Sequence, residues 1–257
     1  MNDKKKKLYK KIEAWICIPI IILLLLIIAV RVIYPAFAPT KHKIDNIQFA
    51  SVKKLEGKEL DAFIHTCEEI AELSKENPFY KDNKKITLCF YDNKAKYSII
   101  ALGKSLGIAM NFGNFGFINF SETDFINQTI TGLAKEYNVR NVVDVAKHEL
   151  THIYMSKVLT SLDLFLVPRW KFEGIAECIA TSSSYDIETG LYNFFNDVKD
   201  SSPQYKYFEY RLAVLYLTKG KNYSFEEILN SRDIKFKEVL AEIKTLNPAD
   251  VLALYDI

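Results

Sequence analysis

The chain is poor in histidine and has no cysteine cluster. Its four cysteines, Cys17, Cys67, Cys89 and Cys178, include no C-x-x-C pair, so a cysteine zinc cluster or a thioredoxin-type redox motif has no support. A Cys67–Cys89 disulfide and separate buried thiols are both open readings. Basic residues form no stripe interleaved with aromatics, which excludes nucleic acid as the expected partner. The net charge of +2 points to no particular acidic partner. There is one long apolar run and no second, so a multi-span membrane protein is excluded. The sequence carries no internal repeat, and its only low-complexity tract is a lysine cluster at the N-terminus. At 257 residues, 49% of them apolar and 26% charged, the chain can bury a substantial core.

The long apolar run extends from about Ile12 to Ile33 and follows Lys4, Lys5, Lys6, Lys7, Lys10 and Lys11. About 20 apolar residues span a bilayer as a helix, and the lysines place the N-terminus in the cytoplasm. A single-pass cell-membrane protein with an extracytoplasmic domain is therefore expected. A cleaved signal peptide is the rival, because Ala36-Phe37-Ala38 resembles a small-x-small cleavage site. The length of the run and Pro39 just after the cut weigh against it. The expected domains are 1–38, the lysine cluster and anchor, and 39–257, the folded domain. Pro35 and Pro39 close the anchor and open a short linker.

Within the folded domain the apolar spacing predicts a helix over Lys58–Lys75. Strands are predicted over Ile86–Tyr91, Tyr97–Leu102, Gly107–Phe112 and Phe117–Phe120. Helices are predicted over Phe125–Tyr137, Asn141–Leu159, Trp170–Ser182, Gln204–Thr218, Lys235–Lys244 and Ala249–Tyr255, with a capping box at Ser224 and Glu227. The expected fold class is α+β: a small N-terminal mixed β-sheet, about 85–120, packed on a helical part, about 121–257, after one transmembrane helix.

Two of the four histidines fall in His148-Glu149-Leu150-Thr151-His152. On a helix, residues four apart share a face, so His148 and His152 can present two imidazoles to one zinc ion while Glu149 reaches a water. No histidine follows His152, so the third ligand must be a carboxylate or Cys178. Glu173, on the next predicted helix, is the candidate, with small residues Gly174 and Ala176 allowing close helix packing. Glu177, one turn on, can orient His148 from behind. Cys178 lies too far round the helix to share that face.

The blocks His148-Glu149-x-x-His152 and Trp170-x-x-Glu173-Gly174-x-Ala176-Glu177, with Tyr207, Val214, Tyr216 and Leu217 beyond them, resemble the gluzincin superfamily of thermolysin-like and aminopeptidase-like zinc peptidases, whose peptidase MA-like domain this region matches in pattern. The resemblance covers roughly Val142–Leu240. It implies one zinc per chain held by His148, His152 and Glu173, Glu149 as general base, and Tyr207 or Tyr210 as donor to the oxyanion. It also implies a zincin-type helical half and, in the β-rich stretch, an edge strand that binds extended peptide. The glycine-rich G-x-M-E-N strand of the aminopeptidases is absent; Gly107-Ile108-Ala109-Met110-Asn111 lacks its glutamate. The expected activity is therefore a membrane-anchored endopeptidase acting on a peptide or protein substrate. The alternatives are a catalytically silent gluzincin-like sensor ectodomain and a zinc hydrolase of non-peptide bonds.

Overall fold

The computed structural model describes residues 33–101, 105–112, 114–132, 139–159, 161–181 and 185–255, with isolated positions 17–19, 22, 26 and 29. Most of the expected membrane helix falls outside the described residues. Among the described residues, no helix is long and apolar enough to cross a membrane.

Among the described residues the fold is α+β with a mixed seven-stranded sheet. The strands are β1 (Thr40–Ile44), β2 (Ile47–Ser51), β3 (Lys85–Tyr91), β4 (Gly107–Phe112), β5 (Phe115–Asp124), β6 (Thr129–Thr131) and β7 (Arg140–Asn141). Strand β2 runs parallel to β3, and β3 parallel to β5, while β1–β2, β4–β5, β5–β6 and β6–β7 are antiparallel. The long β5 has β3 along one side. On its other side β4 pairs with Phe115–Phe120 and β6 continues from Glu122. Among the described strands, β4 pairs with β5 alone.

Alternation along β3 separates two apolar layers. Leu88 and Phe90 face the main core, and Cys89 and Tyr91 face a smaller cluster with Tyr97. Helix α1 (Gly57–Lys75) covers the first face, where Phe63, Phe90, Phe120 and Phe125 form a ring cluster with centroids 4.8 to 6.3 Å apart. Cys67 and Cys89 belong to opposite layers and both thiols are free, which removes the disulfide reading.

The sequence-based assignments need three corrections. The segment expected as a strand over Tyr97–Leu102 is helix α2 (Lys94–Ala101). Asn93 starts it by accepting from the Ala95 and Lys96 amides, and Tyr97 seats its ring against Tyr91. A side-chain cap of this kind outweighs the weak strand preference of a short β-branched run. The helix expected over Phe125–Tyr137 begins instead as a turn closed by Asp124 and Asn127, followed by β6; positions 133–138 lie outside the described residues. The supposed linker enters the sheet at once: β1 starts at Thr40, and Asp45, at φ 50°, turns the chain back into β2. The sheet thus spans Thr40 to Asn141, not 85–120.

Beyond the sheet come α3 (Val142–Val158), α4 (Ser161–Leu166), α5 (Arg169–Ala180), α6 (Ile187–Phe195), α7 (Pro203–Leu215), α8 (Phe225–Asn230), α9 (Phe236–Ile243) and α10 (Pro248–Leu252). Helix α3 lies on the sheet so closely that a Cβ on Gly116 would come 2.8 Å from Ile153 Cγ2. Gly174 in α5 packs against α7 rather than α3. A Cβ there would meet the Tyr210 carbonyl oxygen at 2.5 Å and Val214 Cγ2 at 2.8 Å. Alanine gains about 1 kcal/mol of helix propensity over glycine, but overpacking against fixed backbone costs about 1–3 kcal/mol. Gly174→Ala is therefore expected to lower the stability of the fold in a denaturant titration. An unchanged midpoint would show that the α5–α7 contact is looser than described.

Candidate metal centre

A cap and an inward-facing side set the register of α3. Asn141 caps its N-terminus, accepting from the Val143 amide at 2.8 Å and the Asp144 amide at 3.3 Å. Of the residues between the motif histidines, Leu150 and Thr151 are buried. The Thr151 hydroxyl donates to the Lys147 carbonyl and accepts from Asn77 Nδ2. With that side of the helix fixed inward, His148 and His152 face α5.

Helix α5 is held by the three residues that precede Glu173. Trp170 packs on Phe236, with ring centroids 5.4 Å apart, and the buried Lys171 donates to the Ser231 carbonyl. Phe172 stacks on the His152 imidazole at 4.4 Å and 12°, which fixes the plane of that ring. Glu173 then reaches both histidines.

The result is a compact triangle of donors. His148 Nε2 and His152 Nε2 are 3.1 Å apart, and Glu173 Oε2 lies 3.4 Å from the first and 3.3 Å from the second. Zinc bonds of about 2.0–2.1 Å at tetrahedral angles require ligand separations of about 3.3–3.4 Å. The three atoms therefore have the spacing of one face of a tetrahedron. Among the described residues they form the group of histidine, cysteine and acidic side chains able to hold a metal ion. His42, in β1, and His65, in α1, are not part of it.

Charge behind the triangle favours the arrangement. Glu177 is buried, and its Oε1 lies 3.1 Å from His148 Nδ1, a charge contact that directs the ring's Nε2 towards the donor triangle. Arg140, from β7, sits 3.7 Å from the same Glu177 oxygen. Burial alone would raise the Glu177 carboxyl, but His148, Arg140 and Arg211 outweigh it and hold it below the usual carboxylate range. The Glu173 carboxyl is held well down in the same way, burial opposing and the two histidines prevailing. Burial also opposes charging His148, yet the contacts with Glu173 and Glu177 push it up to about 10. Without a metal, the imidazolium supplies the positive charge that these carboxylates need.

The remaining candidates separate clearly. Glu149 is half-buried and leans over the start of β4, where a Cβ on Gly107 would come 2.9 Å from its Cγ. The Tyr207 ring centroid lies 6.4 Å from that of His148, and its hydroxyl accepts from Arg169 Nη2 at 3.1 Å. Tyr210 instead turns its ring onto Phe236, at 5.3 Å. Cys178 donates to the Arg211 carbonyl, its thiol pushed up to about 12 by burial, and it stays outside the triangle.

Arg169, Arg140 and Phe172 are the residues that the sequence reading missed. Arg169 contacts the second Glu173 oxygen at 3.6 Å as well as Tyr207. Its position four residues before Glu173 on one helix was a usable signal; Arg140, on a different element, gave none.

Comparison with protein-family models and with curated proteins finds no match for this chain.

A group whose folded pKa lies above its unfolded value stabilises the fold below the unfolded value and ceases to as pH rises through the folded one. For His148 that window runs from 6.5 to about 10. Chelator-treated protein is therefore expected to lose thermal stability relative to Glu177→Gln as pH rises from 6.5 towards 10. A difference that stays constant across that range would contradict the charge arrangement.

Proposed function

We propose that this chain is a membrane-anchored, zinc-dependent metallopeptidase of the gluzincin type, with one zinc held by His148, His152 and Glu173. The observation that carries the reading is the donor triangle of 3.1, 3.3 and 3.4 Å, with the Glu149 carboxylate on the next residue and β4 beneath it. The division into a mixed sheet followed by α3, α5 and α7 is what the two halves of a zincin domain require.

When bound, zinc supplies a Lewis acid that polarises a carbonyl and acidifies a water. The residues of the chain provide the rest. Glu149 accepts the proton of the attacking water and later delivers it to the leaving amine. Tyr207, with its oxygen already accepting from Arg169, keeps its own proton free to donate to the oxyanion. Glu177 and Arg140 keep His148 oriented as a ligand. Along β4 an extended peptide would find backbone hydrogen bonds, and a strand running past Glu149 suits internal cleavage.

The membrane proposal rests on the apolar run 12–33 after its lysines. The few described positions within it are helical, and Ile18, Ile22, Leu26 and Ile33 stand exposed. A lipid environment would cover such side chains.

A screen of quenched fluorescent peptides against the wild type and Glu149→Gln tests the activity. The variant is expected to retain zinc while its turnover falls by on the order of 10² to 10⁴. Equal cleavage by both would remove Glu149 from the mechanism, and no cleavage by a zinc-loaded wild type would favour a silent binding domain. Between the tyrosines, Tyr207→Phe is expected to lower kcat by on the order of 10² with little change in KM, and Tyr210→Phe to leave kcat nearly unchanged. The reverse order would reassign the oxyanion donor.

A further inference from the structure

Lys84 is fully buried, with 0% exposure, and takes no part in the chemistry above. All its hydrogen-bond partners are uncharged. Its Nζ donates to Asn111 Oδ1 on β4, and to the Ile153 carbonyl at 3.3 Å and Ser156 Oγ at 3.5 Å on α3. Asn111 Nδ2 also donates to Ser156 Oγ, and the Ser156 hydroxyl donates to the Ile153 carbonyl at 2.7 Å. Lysine is almost never fully buried without a partner of opposite charge. Burial and the nearby Lys157 lower this one to about 8. Retaining an ammonium at such a cost calls for a reason.

The reason lies in where its partners sit. Strand β4 touches α3 at two places: Gly107 lies under Glu149, and Asn111 is tied to Ser156 and Lys84. Seven residues of helix rise about 10 Å, and four residues of strand about 13 Å. The two elements therefore run side by side in the same direction, with His152 between the tie points on the helix. Gly107, Ala109 and Asn111 share the face turned to α3, and Ile108 faces the opposite layer, against Cys89 and Tyr91. The glycine end has no side chain to hold the strand. Strand β5 pairs with β4 along its length, and Asn111 is the β4 side chain that ties this strand to α3 by hydrogen bonds.

We propose that Lys84 is a positioning residue that sets the spacing between β4 and the metal-binding helix, and so governs how well an extended peptide is held beside the metal. This rests on the peptidase reading for its consequence but not for its geometry. Lys84 touches neither the donor triangle nor the Glu149 carboxylate; it acts through Asn111 and the Ile153 carbonyl.

The test uses the full chain in detergent, loaded with zinc, and compares wild type with Lys84→Met. Two probes are titrated: acetohydroxamate, which reaches the metal only, and a tripeptidyl hydroxamate, which also lies along the strand. Amide hydrogen exchange is followed over 107–112 and over α3. Lys84→Met is expected to keep its zinc and its acetohydroxamate affinity within about twofold. Its affinity for the tripeptidyl hydroxamate should fall by about tenfold, and exchange in β4 should quicken while that around His148 does not. Equal weakening of both probes, no weakening of either, or unchanged exchange in β4 would overturn the proposal. Should Lys84→Met fail to fold, Asn111→Ala cuts the same link while keeping the lysine, and is expected to give the same split. If wild type binds neither zinc nor hydroxamate, the peptidase reading fails, and exchange in β4 alone decides the role of Lys84.

Discussion

Three donor atoms from two helices have to meet within 3.4 Å of one another in a half-buried setting, and most of the helical part serves that meeting. Two imidazoles and a carboxylate do not crowd together unaided. Two neutral ring nitrogens facing each other at 3.1 Å repel unless a proton or a cation lies between them. The surrounding charges decide which. Glu173 and Glu177 flank His148, Arg140 faces Glu177, and Arg169 faces the outer oxygen of Glu173. Both carboxylates turn an oxygen to His148, at 3.1 and 3.4 Å, while the arginines stand farther off, at 3.6 and 3.7 Å, so the site favours a positive charge between the rings. A buried charge cluster of this kind is costly unless complete, which explains why so many residues are tied to it.

Packing carries that demand outward. Helix α5 can present Glu173 and Glu177 to α3 only if its opposite side lies flat on α7, and Gly174 permits this by leaving the Tyr210 carbonyl room. Helix α3 can present its histidines only if it lies flat on the sheet, and Gly116 permits that beneath Ile153. The same closeness puts Glu149 over Gly107, and so brings the His148–His152–Glu173 triangle, Glu149 and β4 together. Tyr207 enters from α7, which is in place because Gly174 lets it approach. Position at the centre thus follows from two glycines far from each other in sequence.

Much of this was legible in the sequence. The His148–His152 spacing and the placement of Glu173 and Glu177 one turn apart follow from helical geometry alone, and the structure brings all four together. Helix α3, α5, α7 and the strands β3, β4 and β5 were likewise readable from apolar period. What was not readable depends on partners distant along the chain. Strands β1 and β2 carry few apolar residues outside Ile44, Ile47, Phe49 and Ala50, and are strands because β3 pairs with β2. Tyr97 sits in a helix because Asn93 caps it and Tyr91 receives its ring. Arg140 and Lys84 gain their roles only when β7 and β4 are laid beside α3.

The central claim is that this triangle holds one zinc ion. Metal analysis of the purified protein, beside Glu173→Ala prepared in the same way, tests it most directly. The account predicts about one zinc per chain in the wild type and a clear loss in the variant. A folded wild type that carries no zinc even after equilibration with the metal would contradict it, and would leave the histidine–glutamate cluster as a buried charge network without catalytic purpose.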